Sequence, residues 1–244
     1  NNGALGLGSL NVAHRSSPVQ VGSLTNWKLV AVGSYFTVAL KTDGTLWSFG
    51  ANNIGALGLN DTTARSSPVQ IGTATDWKLV AVGAYHVLAV KNNGTLWAWG
   101  FNTNGNLGLG DIAHRSSPVQ VGSLTNWKQA AGGYLNTVAI KTDGTLWSWG
   151  YNLYGGLGQS SIIHRSSPVQ VGSLTNWKLV ISGAYHTIAQ KTDGTLWGWG
   201  LNNYGQLGID SVTRSSPVQI GSLTTWKQVS AGFFHTAAIQ DGLY

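Results

Sequence analysis

A chain of 244 residues with a net charge of +6 has 42% hydrophobic residues but only 9% charged ones, against about a quarter in ordinary domains. This apolar content excludes a disordered segment, the lack of cysteine excludes disulfides and thiolate metal sites, and no apolar run approaches the ~18–20 residues of a membrane helix. Twelve tryptophans provide the material of a large core instead, since each ring can remove ~150–250 Å² from water.

The chain opens Asn1-Asn2-Gly3 and contains no methionine, which reads as a processed form or an excerpt of a longer protein. Pro18-Val19-Gln20-Val21 is a short extended piece opened by proline, suited to an edge or to the first position of a strand. Trp27 to Val32 is apolar and β-branched and stops at Gly33, and Thr37 to Lys41 and Thr45 to Phe49 alternate as half-buried strands do. Between the last two lies Thr42-Asp43-Gly44, with Asn92-Asn93-Gly94 in the next copy. Asp-Gly and Asn-Gly interchange because a tight hairpin requires positive φ.

The same text then repeats. Ser-Ser-Pro-Val-Gln has its proline at Pro18, Pro68, Pro118, Pro168 and Pro217, and Trp-Lys keeps the beat at Trp27, Trp77, Trp127, Trp177 and Trp226. A period near fifty with four short strands and no helical periodicity predicts an all-β propeller of about five four-stranded blades. Residues 1–244 form one repeat domain of five units on this reading. The start aligns with Asn53 to Gly58, just after a final strand, and the tail Gln240 to Tyr244 aligns with a shortened hairpin. Pairing of both termini is therefore expected to close the ring.

Chemistry is sparse. Glutamate is absent, and Asp43, Asp143, Asp193 and Asp241 fall in hairpin turns, which explains them without catalysis. Asp61, Asp76, Asp111 and Asp210 fall in loops with no evident pairing pattern. His14, His114 and His164 form one register and His86, His186 and His235 another, both interrupted, so neither predicts a metal site. In His14-Arg15-Ser16-Ser17 adjacent strand residues point to opposite faces, and no acid repeats nearby to orient a base. Gly105 to Gly108 has no following helix or Lys-Ser/Thr, so it is not a phosphate cradle. No catalytic residue, cofactor or metal is expected. Lysines and arginines recur once per unit, a pattern that would make rings of positive charge able to attract a polyanion; solvated scaffold positions are the favoured reading, and nucleic acid is not the expected partner.

Two loop stretches vary between copies: Leu59 to Ala64 with its equivalents, Ser9 to Ala13 among them, and the turn after the third strand. Rigid scaffolds with variable loops are a common binding design, so Phe101, Asn102, Tyr151, Tyr154, Asn202 and Tyr204 are the candidate contact residues for a protein or glycan partner on one rim. The repeated tryptophans are read as packing between blades.

The run from Trp77 to Gly100, the glycine-rich turn from Asn102 to Gly110 and Arg115 to Val121 resemble the regulator of chromosome condensation repeat family, the β-propellers also called alpha-tubulin-suppressor-like. The resemblance spans essentially the whole chain in five copies. It implies a propeller, and in well-known members one of seven blades. The member that acts as a nucleotide-exchange factor uses a wedge insertion and binds chromatin with help from a basic tail; neither is read in this sequence, so exchange activity is not the expected one. The near-identical, Ser/Thr/Asn-decorated copies look more like bacterial or phage repeat proteins. The expected function is a non-enzymatic structural or protein/glycan interaction module, extracellular or on a virion or cell surface, with possible assembly into a larger complex. The alternatives are a cytoplasmic regulator of a small GTPase or chromatin, and a protein inhibitor of an enzyme.

Overall fold

The structure, a computed structural model, describes residues 3–8 and 17–241, and among these it is built from β-strands without helices. First strands are Trp27–Val32 (β1), Trp77–Val82 (β5), Trp127–Gly132 (β9), Trp177–Ser182 (β13) and Trp226–Ala231 (β17). Second strands are Phe36–Lys41 (β2), His86–Lys91 (β6), Asn136–Lys141 (β10), His186–Lys191 (β14) and Thr236–Gln240 (β18). Third strands are Leu46–Gly50 (β3), Leu96–Gly100 (β7), Leu146–Gly150 (β11) and Leu196–Gly200 (β15). Fourth strands are Arg65–Gln70 (β4), Arg115–Gln120 (β8), Arg165–Gln170 (β12) and Arg214–Gln219 (β16).

Each blade is an antiparallel meander in chain order, β1-β2-β3-β4 and its equivalents. Four blades have the expected four strands; the fifth, among the described residues, has two, β17-β18. The structural frame also differs from the sequence frame. The proline strand does not open a unit but closes the preceding blade, as its outermost strand. Trp47 lies opposite Gln70 and Ser48 opposite Val69, after which the ladder skips to Gly50 opposite Arg65. Pro68 thus falls in the irregularity, on an edge strand, where its missing N–H costs no ladder bond. Residues 18–21, which carry the first copy of this text, form no strand.

The hairpin turns do more than reverse the chain. Asp43 Oδ1 accepts from the Thr45 N–H (2.9 Å) and hydroxyl (2.7 Å), and Thr45 Oγ1 accepts from Trp47 Nε1 (2.9 Å). The relay recurs through Asn93, Thr95 and Trp97, through Asp143, Thr145 and Trp147, and through Asp193, Thr195 and Trp197. Gly94 takes φ +78° and lies so close to the next loop that a Cβ there would fall 2.0 Å from the Thr125 carbonyl oxygen. Gly94→Ala is therefore expected to cost about 1–3 kcal/mol, read as a lower urea midpoint at unchanged slope.

The blades share an axis. Hub loops between first and second strands are hydrogen bonded in series: Ser34 N–H to Ala84 O (3.0 Å), Ala84 N–H to Gly133 O (3.0 Å), Tyr134 N–H to Ala184 O (3.1 Å) and Ala184 N–H to Phe233 O (3.3 Å). They surround a cavity of about 360 Å³ to which every blade contributes a glycine: Gly33, Gly83, Gly133, Gly183 and Gly232. The core lies between sheets, as the repeat architecture requires. Phe36, Val38, Leu40 and Leu46 of the first blade pack with Trp77, Val80, Val87 and Trp99 of the second, all buried. Among the described residues the packing differs along the series of blades. Val30 is 57% exposed, whereas its equivalents Val80 and Val180 are 4% and 0% exposed, and Ile239 in β18 is 58% exposed. Of the termini expected to close the ring, Asn1 to Gly6 and Gln240 to Tyr244, residues 1–2 and 242–244 lie outside the described residues.

Candidate functional site

One end of the propeller is paved with aromatic rings. Each first strand is followed by a glycine and a hub loop that carries an aromatic residue: Tyr35, Tyr85, Tyr134, Tyr185, and Phe233 with Phe234. The turns after the third strands come to the same end and add Phe101, Tyr151, Tyr154 and Tyr204. Tyr134 sits among its neighbours from three other blades, with ring centroids 5.4 Å from Tyr85, 5.5 Å from Tyr185 and 5.5 Å from Phe233. The band continues through Tyr185–Tyr154 (5.1 Å), Tyr185–Tyr151 (5.9 Å) and Tyr85–Phe101 (6.1 Å) on one side. On the other it runs through Phe233–Phe234 (4.6 Å) to Tyr204 (5.2 Å from Phe234). Between the first two blades it opens into an apolar cleft of about 280 Å³ lined by Tyr35, Phe36, Ile54, Tyr85, Phe101 and Tyr134 among others.

Three tyrosines of the face are held in their neutral form. The Tyr134 hydroxyl is pushed up to about 12, first by its hydrogen bond with Tyr85 and then by burial, and burial also raises Tyr151 and Tyr185. His114 and His164 back the band from below. Their rings stack on Phe101 (4.9 Å) and Tyr151 (4.8 Å), and each Nδ1 accepts the N–H of Asn102 or Asn152 at 3.0 Å.

Of the six residues expected to meet a partner, Tyr204 is 72% and Tyr154 36% exposed, and Phe101 and Tyr151 are half-buried within the band. Asn102 and Asn202 are a correction: both are fully buried. Asn102 Oδ1 accepts the Leu107 N–H at 2.9 Å and its Nδ2 donates to the carbonyls of Asp111 and Ala113, and Asn202 Oδ1 accepts the Leu207 N–H at 2.9 Å. They hold the turn shut rather than face outward. The hub aromatics were missed by sequence reasoning, although the text Gly-Xaa-Tyr or Gly-Xaa-Phe after a first strand was visible at Tyr35, Tyr85, Tyr185 and Phe234.

The titratable groups are used structurally. Asp61, Asp111 and Asp210 do have a pairing pattern: each binds the arginine four residues on, Arg65 at 2.5 Å, Arg115 at 2.5 Å, and Arg214. Asp76 pairs with Lys91 and Asp241 with Lys227. At the other end of the strands, Lys41, Lys141 and Lys191 stand 3.6, 3.5 and 3.6 Å above the rings of Trp47, Trp147 and Trp197, in cation–π contact. His86 and His186 are buried and bond Thr137 and Thr236 of the next blade, 3.0 Å each. His14, Arg15 and Ser16 lie outside the described residues, as does the first variable loop, Ser9 to Ala13.

A family profile described as RCC1-like domain matches residues 1–243. Among solved structures, human WBSCR16 superposes with a TM-score of 0.86 at 23% identity, over 100% of this chain and 66% of that one. Prp20p from Saccharomyces cerevisiae, described with its binding properties to Gsp1p and histones, gives 0.84 at 25% identity over 98% and 62%. Yeast RCC1 (Prp20) bound to Kap60 gives 0.77 at 24% identity over 88% and 54%. The chain spans 54–66% of the length of these structures. No curated protein sequence matches it.

Proposed function

We propose that this chain, which belongs to the RCC1-like domain family, is a non-enzymatic propeller that receives a protein partner on its aromatic face. The observation that carries the reading is the continuous band from Phe101 through Tyr85, Tyr134 and Phe233 to Tyr204. Exposed tyrosines on a rigid frame offer large contact area at small entropy cost and are the residues that dominate binding energy at interfaces. A non-catalytic role is supported by the way all eight aspartates serve turns or ion pairs. Sparse charge and Ser/Thr/Asn decoration support a partner met on a virion or cell surface. A GTPase or histone partner is the second reading, favoured by the likeness to Prp20p, described with its binding properties to Gsp1p and histones.

The test is binding of the chain to Gsp1p, to histones and to an array of immobilised glycans, beside a triple variant Tyr35→Ser, Tyr154→Ser, Tyr204→Ser. All three side chains are exposed, so folding is kept. A protein probe that saturates and is weakened about tenfold or more by the triple change supports the reading. Binding that ignores these three rings, or is confined to glycans, overturns it.

A further inference from the structure

Four positions of the repeat meet on the aromatic face where the third blade joins the fourth, and the same four meet where the first joins the second with one ring missing. At the later junction Tyr151, Tyr154, Tyr185 and Phe233 form a closed cluster. Ring centroids lie 5.9 Å apart for Tyr151–Tyr185, 6.2 Å for Tyr151–Tyr154, 5.1 Å for Tyr154–Tyr185 and 6.1 Å for Tyr185–Phe233. At the earlier junction the repeat puts Ala51, Ile54, Tyr85 and Tyr134 in those places. Tyr85 and Tyr134 keep the edge-on contact, at 5.4 Å. Ala51 replaces the tyrosine, and Ala64 replaces His164, against which the Tyr151 ring lies at 4.8 Å. The apolar cleft of about 280 Å³ opens at this vacancy, with Ala51, Ile54, Tyr85 and Tyr134 in its wall and Phe36 and Leu135 beside them. All of the lining lies between residues 35 and 135, and both blades of this junction have four strands.

We propose that the cleft is the anchor pocket of the aromatic face and takes one phenol ring, presented as an exposed tyrosine side chain of the protein partner. This rests on the aromatic-face reading and adds what the partner must present. The chain's own repeat specifies the occupant, because equivalent walls close on Tyr151 two blades further on. Size agrees: pockets for drug-sized ligands run to ~300–1,000 Å³, and about 280 Å³ holds a single ring with little to spare. Chemistry agrees as well, since no charged side chain lines the cleft among the described residues, and rings prefer edge-to-face neighbours at the spacing that Tyr85 and Tyr134 already keep. A preformed pocket filled by one buried aromatic side chain is where interfaces concentrate their binding energy.

The tripeptide acetyl-Gly-Tyr-Gly amide, titrated with the whole chain and followed by ligand NMR, tests the proposal beside acetyl-Gly-Ala-Gly amide and methyl glucoside. Saturable binding of the tyrosine peptide at one site per chain is expected, with neither of the others binding. The double variant Ala51→Tyr, Ala64→His gives the first blade the pair that the third carries. It should weaken the tyrosine peptide about tenfold or more, at a thermal midpoint no lower than the parent's. Tyr204→Ser, in the band but outside the cleft, should leave the affinity as it is. The alanine peptide and Tyr204→Ser decide the matter even if the double variant does not fold. No saturable binding, equal binding of the alanine peptide or the glucoside, indifference to the double variant in its folded form, or a loss with Tyr204→Ser overturns the anchor pocket. If Gsp1p or histones bind and respond to the triple change while the tyrosine peptide fails, the pocket alone falls. A tyrosine peptide that binds as expected, with no protein probe saturating, removes the aromatic-face reading and leaves the ring site.

Discussion

Truncation of Trp149 to alanine is expected to destabilise the chain by about 3–5 kcal/mol, the cost of emptying a fully buried aromatic site. Trp149 is 0% exposed, meets Trp127 edge-on and donates to the Asn106 carbonyl. Its ring also fills the contact between the second and third blades, so the loss should be felt by both. The companion Trp149→Phe separates volume from hydrogen bonding. Phe49 already holds this place in the first blade, and the Asn106 carbonyl keeps the Thr137 hydroxyl at 2.8 Å as a second partner. Phenylalanine should therefore cost only about 1 kcal/mol. Urea titrations of the two variants check the pair; near-equal losses would show that the hydrogen bond rather than the packed volume carries the site.

Acid is expected to destabilise the protein between pH 6.5 and 4, before its aspartates protonate. Burial lowers His86 from 6.5 to about 3, and burial together with the nearby His235 lowers His186 to about 4. Both rings are neutral in the fold and take a proton on unfolding once the pH falls below 6.5. The unfolded state then binds more protons than the folded state, so stability is full above pH 6.5 and declines as the pH drops toward the folded values. At pH 4.5 the two sites together remove about 5 kcal/mol. The aspartates act lower. Asp43, Asp143 and Asp193 are held below the usual carboxylate range by the threonine two residues on, so their contribution is lost only as the pH falls below about 4. Phe36 occupies the equivalent position in the first blade and packs on Gly33 as His86 does on Gly83. The double variant His86→Phe, His186→Phe should flatten the thermal midpoint between pH 7.5 and 4.5, whatever it costs at neutral pH. A slope equal to that of the parent would remove the histidines from the account.

The hairpins were legible because their cause is local. Asp-Gly and Asn-Gly turns, alternating strands and glycine stops are set by residues a few positions apart, and all four turns appear where Asp43, Asn93, Asp143 and Asp193 stand. The proline strand was assigned to the wrong side of its boundary, because Arg65–Gln70 finds its partner in Leu46–Gly50, across a turn of variable text. The ion pairs of Asp61 with Arg65 and Asp111 with Arg115 were within reach, since a spacing of four recurs. The copy at Ser161, where Arg165 turns to Gln159 instead, broke the pattern. The aromatic face was half seen. Tyr154 and Tyr204 stood out because they vary, while the hub aromatics looked like ordinary strand ends. Asn102 and Asn202 misled because asparagine in a turn serves equally as an outward contact and as a bridge to buried backbone.

The sequence by itself determined the repeat, its β character and the turn chemistry that makes each blade, since those depend on spacing within a single unit. Only the tertiary structure decided which text belongs to which sheet, which turn residues are sealed and which exposed, and that rings from separate blades gather at one end. Those outcomes follow from how neighbouring sheets pack about their shared axis. A near-identical unit cannot carry that information, because what a repeated residue touches is set by the neighbouring blade and not by its own unit.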